Sequence, residues 1–337
     1  MKTLLLSQED VKSVVGMKDA VEICERTFQG MGEGTVVNPT KVLLDLGETG
    51  NYPYYGGFFN AMPAYIGWLD LAGIKWVGGF MNPKRQQLGL PYINGMILLA
   101  DPRLGMFLAA MDGAYITSLR TGAQTAVALK YLLPGRKKLR LGLYGAGGQG
   151  HTQTLAISQW FELEQVTVYD VCEQAKRRYA EDMKEVVKGE IRIAKKPEEA
   201  ADAEVVICVT QARESFLKKE WVKPGTIVFP MGSHQECEEE LLLAADHIVV
   251  DHVGQCAHRG ALAKVMESGK MSVEAMDYTI GELAAGKRSM EDISGKRVIC
   301  IPVGTGAMDV SVAGIAYFRA RERGLGQEFE FVNFGCC

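Results

Sequence analysis

The stretch Gly145-Ala146-Gly147-Gly148-Gln149-Gly150 narrows the possible folds of this chain more than any other. It follows the apolar run Leu139-Arg140-Leu141-Gly142-Leu143-Tyr144 and precedes a segment of helical character. Glycines in that spacing, between a strand and a helix, form a turn whose backbone N–H groups and helix dipole face a pyrophosphate. Gly145 serves the tight turn, Gly147 lets the phosphates approach, and Gly150 allows helix and strand to pack closely, while Gly148 and Gln149 complete the loop. The spacing alone arises by chance, so its weight comes from the strand before it and the helix after it.

A dinucleotide site also needs an acidic residue roughly 20 positions on, at the end of the next strand, to accept from the adenosine ribose. Asp170, closing Val166-Thr167-Val168-Tyr169-Asp170, fills that place. An NADP(H) site would put a small residue there followed by a basic one, whereas Val171 and Cys172 follow, so NAD(H) is favoured over NADP(H). Lys176 and Arg177 keep NADP(H) open. Thr210, Met231 and Gly232 stand at the ends of later strands, where cofactor contacts occur in such sheets, and Thr121 is a further candidate contact. The competing reading is a Rossmann-like domain that binds a flavin or a methyl donor.

Around the loop the pattern is α/β. Leu139–Tyr144, Gln165–Tyr169, Glu204–Val209, Thr226–Phe229, His247–Val250 and Val298–Ile301 are short apolar strands with helical segments between most of them, which predicts a doubly wound parallel sheet. Upstream the period differs. Residues 8–32 carry helical spacing, and Lys41–Leu46, Ile74–Phe80, Tyr92–Ala100 and Met106–Met111 read as strands, the last two joined by the turn Asp101-Pro102-Arg103-Leu104-Gly105. A mostly antiparallel sheet is expected there. An amphipathic helix, Val312–Arg323, ends at Gly324 and is expected to pack back on this first part. A length of 337 residues also favours two domains. The expectation is a Rossmann NAD(H)-binding domain over 119–311 and a discontinuous α+β domain over 1–118 and 312–337.

With 47% apolar and 23% charged residues the chain reads as an ordinary globular protein, and a net charge of −4 gives no basic surface for nucleic acid. No stretch reaches the length of a membrane span, and the apolar run at Leu4–Leu6 is too short for a signal peptide. Eight cysteines without framework spacing fit a cytoplasmic location, with the tail Cys336-Cys337 read as a free terminus. Asp251-His252-Val253-Gly254-Gln255-Cys256-Ala257-His258 groups two histidines and a thiol but matches no closed zinc framework, so no metal is expected.

Ahead of the loop, Met62-Pro63-Ala64-Tyr65, Gly73-Ile74-Lys75-Trp76-Val77, Gly89-Leu90-Pro91 and Met111-Asp112-Gly113 occur in order, followed by Ile116-Thr117-Ser118-Leu119-Arg120-Thr121-Gly122-Ala123. In these motifs the chain resembles the ornithine cyclodeaminase and mu-crystallin family over nearly its whole length. The resemblance implies a homodimer whose first domain binds substrate and dimerises. It also implies hydride movement between nicotinamide and the α-carbon of a small amino or imino acid. Lys75 would lie beside the substrate and Arg120 would hold its carboxylate. The side chains suit those tasks: arginine offers a bidentate fork for a carboxylate, and a lysine beside the reacting carbon can handle charge as C=N becomes C–N.

Departures from the family pattern bear on the substrate. Where cyclodeaminases read Asn-Ala-x-Gly-x-Asp, this chain reads Phe229-Pro230-Met231-Gly232-Ser233-His234, so His234 replaces the acid and becomes a candidate acid or base. Lys41 stands for the early arginine and Tyr92 for a threonine, which reshapes the expected substrate pocket. An NAD(H)-dependent imine reductase or amino-acid dehydrogenase is therefore expected. The alternatives are a cyclodeaminase that recycles NAD+ internally while releasing ammonia, and a non-catalytic NAD(H)-binding protein of the crystallin kind.

Overall fold

A computed structural model describes residues 2–47, 55–80, 83–232, 235–290 and 292–331. The chain divides into two compact units: Met1–Arg120 with Thr305–Cys337, and Thr121–Gly304. The helix Ala114–Leu132 runs through the first boundary.

Strands of the first unit are β1 (Thr3–Leu6), β2 (Val36–Val37), β3 (Val42–Asp45), β4 (Gly57–Ile66), β5 (Leu71–Phe80), β6 (Ile93–Asp101), β7 (Met106–Asp112) and the late strand β16 (Gln327–Phe329). Their order is β16-β1-β7-β6-β5-β4-β2, with β3 also on β4, and every pair except β1–β7 is antiparallel. Sequence patterning misses β4 because it contains Gly57, Asn60 and Pro63. The pairing explains the proline: β3 covers β4 at Phe58–Ala61 and β2 covers Tyr65–Ile66, so the outer edge at Pro63 faces neither strand and a missing N–H costs nothing there.

One face of this sheet is covered by the helix Gly306–Glu322, which packs on β4, β5 and β6, and the helix Met17–Glu33 packs on that helix and on β2. The expected single helix over 8–32 is two, Gln8–Val14 and Met17–Glu33, because Gly16 is extended and its N–H is taken by the Asp19 carboxylate. The last helix begins at Gly306 rather than Val312, and its first turns are fully buried over β4 and β5. A side chain at Gly306 would meet the Met62 carbonyl at 2.5 Å, and one at Gly314 would meet Leu71 at 2.7 Å, so glycine sets this close approach. The unit boundary accordingly lies at Gly304/Thr305, earlier than hydropathy placed it.

In the second unit β8 (Lys138–Tyr144), β9 (Glu162–Tyr169), β10 (Glu190–Ile193), β11 (Val205–Cys208), β12 (Ile227–Pro230), β13 (His247–Val250), β14 (Tyr278–Thr279) and β15 (Val298–Ile301) form one parallel sheet, ordered β10-β9-β8-β11-β12-β15-β13-β14. Its central strands are buried end to end, as expected where helices cover both faces. The edge strands β10 and β14 escape the sequence pattern: β10 is largely exposed and β14 has two residues. The order in which strands are added reverses between β8 and β11, the switch point at which such sheets open a ligand crevice.

Candidate active site

Alternation along β5 turns Lys75 toward the helix-covered face and Trp76 away from it. Thr117 and Arg120 are one turn apart on the helix Ala114–Leu132 and therefore share a face. Asp309 lies in the first turn of the helix Gly306–Glu322, where the helix dipole favours a carboxylate. These four side chains converge. Lys75 Nζ is 2.7 Å from Asp309 Oδ2 and donates to Thr117 Oγ1 at 3.2 Å. Arg120 Nε donates to Asp309 Oδ1 at 3.0 Å, and Thr117 Oγ1 donates to the same oxygen at 3.4 Å.

Lys75 is 1% exposed, Asp309 0% and Arg120 7%, so water screens this cluster little. Burial and then the positive charge of Arg120 bring the Lys75 ammonium down to about 7, against the upward pull of Asp309, and Lys41 adds a smaller downward push. Two cations thus share one carboxylate. Such a cluster attracts a second anion, and its lysine exchanges a proton near neutrality.

In the second unit the glycine loop has the geometry of its motif. Gly145 has φ +103°, a backbone region in which a side chain is strained, and a Cβ at Gly150 would meet the Gly145 carbonyl at 2.3 Å. Gly147 and Gly148 are exposed, and a Cβ on either would meet nothing within 4 Å, so the loop presents open backbone at the start of the helix Gly148–Ile157. Asp170 follows β9 and is fixed by two backbone donors, Ala146 N–H to Oδ2 and Cys172 N–H to Oδ1, both at 2.8 Å. The carboxylate therefore stands against the loop. Lys176 is 2% exposed and committed to Glu173 at 2.6 Å and the Ala194 carbonyl at 2.9 Å. Arg177 is exposed.

The other strand ends are tied together by a residue that no motif or spacing singles out. Glu236 Oε1 accepts from Thr210 N–H at 2.8 Å and Thr210 Oγ1 at 2.6 Å, and Oε2 accepts from Gly232 N–H at 2.7 Å. Met231 N–H donates to the Cys208 carbonyl at 2.8 Å, and its sulfur accepts from Thr125 Oγ1 at 3.9 Å. The Thr121 carbonyl accepts from Gln153 Nε2 at 3.2 Å, and Gln149 is half-buried on the first helical turn.

Of the substrate candidates, Lys75 and Arg120 come together and Lys41 is near enough to act on Lys75 electrostatically. Tyr92 sits elsewhere, at the Phe80 end of β5, with the Arg85 guanidinium 5.6 Å from its ring centre. His234 lies outside the described residues, as do Cys336 and Cys337. His252 caps the helix Val253–Cys256, and Cys256 is buried and donates to the Ile301 carbonyl. Among the described residues no group of three or more His, Cys, Asp or Glu side chains could hold a metal ion, and no helix is long and apolar enough to cross a membrane.

The profile of the ornithine cyclodeaminase/mu-crystallin family matches residues 1–324. The chain belongs to that family. An alanine dehydrogenase of Archaeoglobus fulgidus is 33% identical over 338 residues, covering 98% of this chain and 99% of the relative. Among solved family structures, an archaeal alanine dehydrogenase dimer with bound NAD superposes with a TM-score of 0.88 at 32% identity, covering 98% of this chain and all of that one. A Δ1-pyrroline-2-carboxylate reductase of Thermococcus litoralis, in complex with NADH and L-proline, also gives 0.88, at 29% identity over 96% of this chain and 99% of its own.

Proposed function

We propose that this member of the family is an NAD(H)-dependent oxidoreductase that moves hydride to or from the α-carbon of a small amino or imino acid, as an imine reductase or amino-acid dehydrogenase. The observation that carries this reading is the buried Lys75–Asp309–Arg120 cluster. Asp309 engages Arg120 through Nε, which leaves the terminal nitrogens of the guanidinium for bidentate recognition of the substrate carboxylate. Lys75, drawn toward neutrality, gives a proton to the substrate nitrogen in reduction and removes one in oxidation. Thr117 and Asp309 hold its ammonium in place. Lys41 contributes further positive charge on the substrate side.

Bound NAD(H) supplies or accepts the hydride. Residues of the second unit fit that cofactor: the exposed backbone at Gly147 and Gly148 suits a pyrophosphate, and Gly145, Gln149 and Gly150 build the turn around it. Asp170, oriented by two backbone bonds, suits the ribose hydroxyls and repels a 2′-phosphate, and Lys176 is already paired, which supports NAD(H) over NADP(H). Thr210, Met231 and Gly232 suit the nicotinamide half, and Thr121 opens the unit. By the same reading the first unit is the substrate and dimerisation domain. Trp76, Met96 and Phe107 are 58%, 55% and 54% exposed on the sheet face opposite Lys75, and a second copy of the chain is the fitting cover for them. Free buried thiols suit a reducing cytoplasm.

The test is a panel of imino acids, and of keto acids with amines, followed by NADH absorbance and product analysis. Stoichiometric NADH loss with amino-acid formation is expected. Conversion of ornithine to proline and ammonia at constant NADH would replace this reading with cyclodeamination, and inertness of the whole panel would favour a non-catalytic binder.

A further inference from the structure

Glu236 is fully buried at the carboxyl edge of the parallel sheet, between the ends of β11 and β12. A buried carboxylate is costly unless its lone pairs are filled, and replacing a buried ionic group by an apolar one of similar volume is often neutral or stabilising. Stability alone therefore does not account for an acid here. Its lone pairs are filled by donors from both strand ends: Thr210 N–H and Oγ1 on one oxygen, Gly232 N–H on the other. Burial raises its carboxyl, and these donors, with Met231 N–H, pull it back. Gly232 and the carboxylate also fit as a pair, since a Cβ at Gly232 would come within 2.6 Å of the Glu236 carboxyl carbon.

Both tied positions lie on the β11–β12 side of the switch point, whereas Asp170 follows β9 on the other side. In sheets of this order the adenosine half of a dinucleotide lies over the β9 side and the nicotinamide half over the β11 side. We infer that Glu236 is a positioning residue for the nicotinamide half: it clamps the backbone at Thr210 and Gly232 into one geometry without touching the cofactor itself. The inference rests on the NAD(H) reading above. It assigns the two halves of the cofactor to different determinants, with the glycine loop and Asp170 holding the adenosine diphosphate and Glu236 setting the floor under the ring.

Glu236→Gln separates the possibilities, because the isosteric amide must turn an N–H donor toward Thr210 or Gly232. Calorimetric titration with NADH and with ADP-ribose, which lacks the nicotinamide, is the measurement, with thermal unfolding as the control. NADH should bind about tenfold more weakly, the scale of one buried donor left unpaired, and ADP-ribose as before. Equal weakening of both ligands, or of neither, overturns the inference. Should Glu236→Gln not fold, Thr210→Val removes the hydroxyl donor and keeps the backbone bond. It should show the same split at a smaller factor, and its absence would overturn the inference equally. Failure of the wild type to bind either ligand would instead sink the NAD(H) reading.

Discussion

In the glycine loop of the second unit the features that fit a ligand belong to the backbone, whereas in the Lys75 cluster of the first they belong to side chains. The Gly145–Gly150 loop offers exposed backbone at Gly147 and Gly148 and a turn at φ +103°. The Lys75 cluster gathers three ionisable groups and a hydroxyl from β5 and two helices, with Arg120 and Asp309 separated by 189 positions in sequence. A backbone site tolerates changes in its surroundings so long as the turn forms. A buried charge cluster does not, because removing one member leaves the others uncompensated in a medium that screens them poorly.

That difference is breakable by mutation, and the largest effect should come from Asp309→Asn. It leaves Lys75 and Arg120 facing each other without a carboxylate, and breaking a buried pair costs about 3–5 kcal/mol. Thermal and denaturant unfolding should register the loss, and unchanged stability would mean that water reaches the cluster.

Arg120→Ala should be smaller in stability and larger in specificity. Losing a charge-assisted bidentate contact costs on the order of 2–4 kcal/mol, about 30- to 700-fold in kcat/KM, with NADH affinity unchanged. Steady-state kinetics beside NADH titration checks both halves, and near-native kcat/KM would make Arg120 structural.

Within the loop, two alanine substitutions divide folding from binding. Gly150→Ala forces a Cβ to within 2.3 Å of the Gly145 carbonyl and should destabilise the unit by about 1–3 kcal/mol. Gly147→Ala meets nothing within 4 Å, so unfolding should be unaltered while NADH binding weakens. Equal unfolding losses in the two variants would show that the loop is only a structural turn. Asp170→Ala should have the smallest effect, narrowing the preference for NADH over NADPH by about tenfold in direct titration. Tighter native binding of NADPH would overturn that assignment.

The same contrast governs how much the sequence disclosed. Local backbone chemistry was legible: the loop, Asp170 at the end of its strand and most of the parallel strands lie close to where periodicity puts them. Lys75 and Arg120 were legible through motif resemblance. Asp309 was not, because a lone acid in Gly306-Ala307-Met308-Asp309-Val310 has no spacing that ties it to residues so distant; the usable signal was an acid inside an apolar, buried run, which demands a partner. Glu236 hid among Glu238, Glu239 and Glu240, which read as a solvated charge run, while the start of the last helix hid behind Gly304-Thr305-Gly306, which reads as a loop.

The pH dependence of kcat/KM in both reaction directions tests the proton-carrying role proposed for the buried Lys75. With Lys75 as the proposed proton donor, reduction draws on its protonated form, whose population falls as pH rises through about 7, so the reductive rate should be flat below that value and decline above it. Oxidation needs the neutral amine and should rise through the same range to a plateau. Lys75→Met should remove this limb from whatever activity remains. Mirror-image limbs near neutrality are the expected result. A lysine titrating near its ordinary value of 10.5, or limbs sloping the same way in both directions, would show that the buried cluster does not carry the proton.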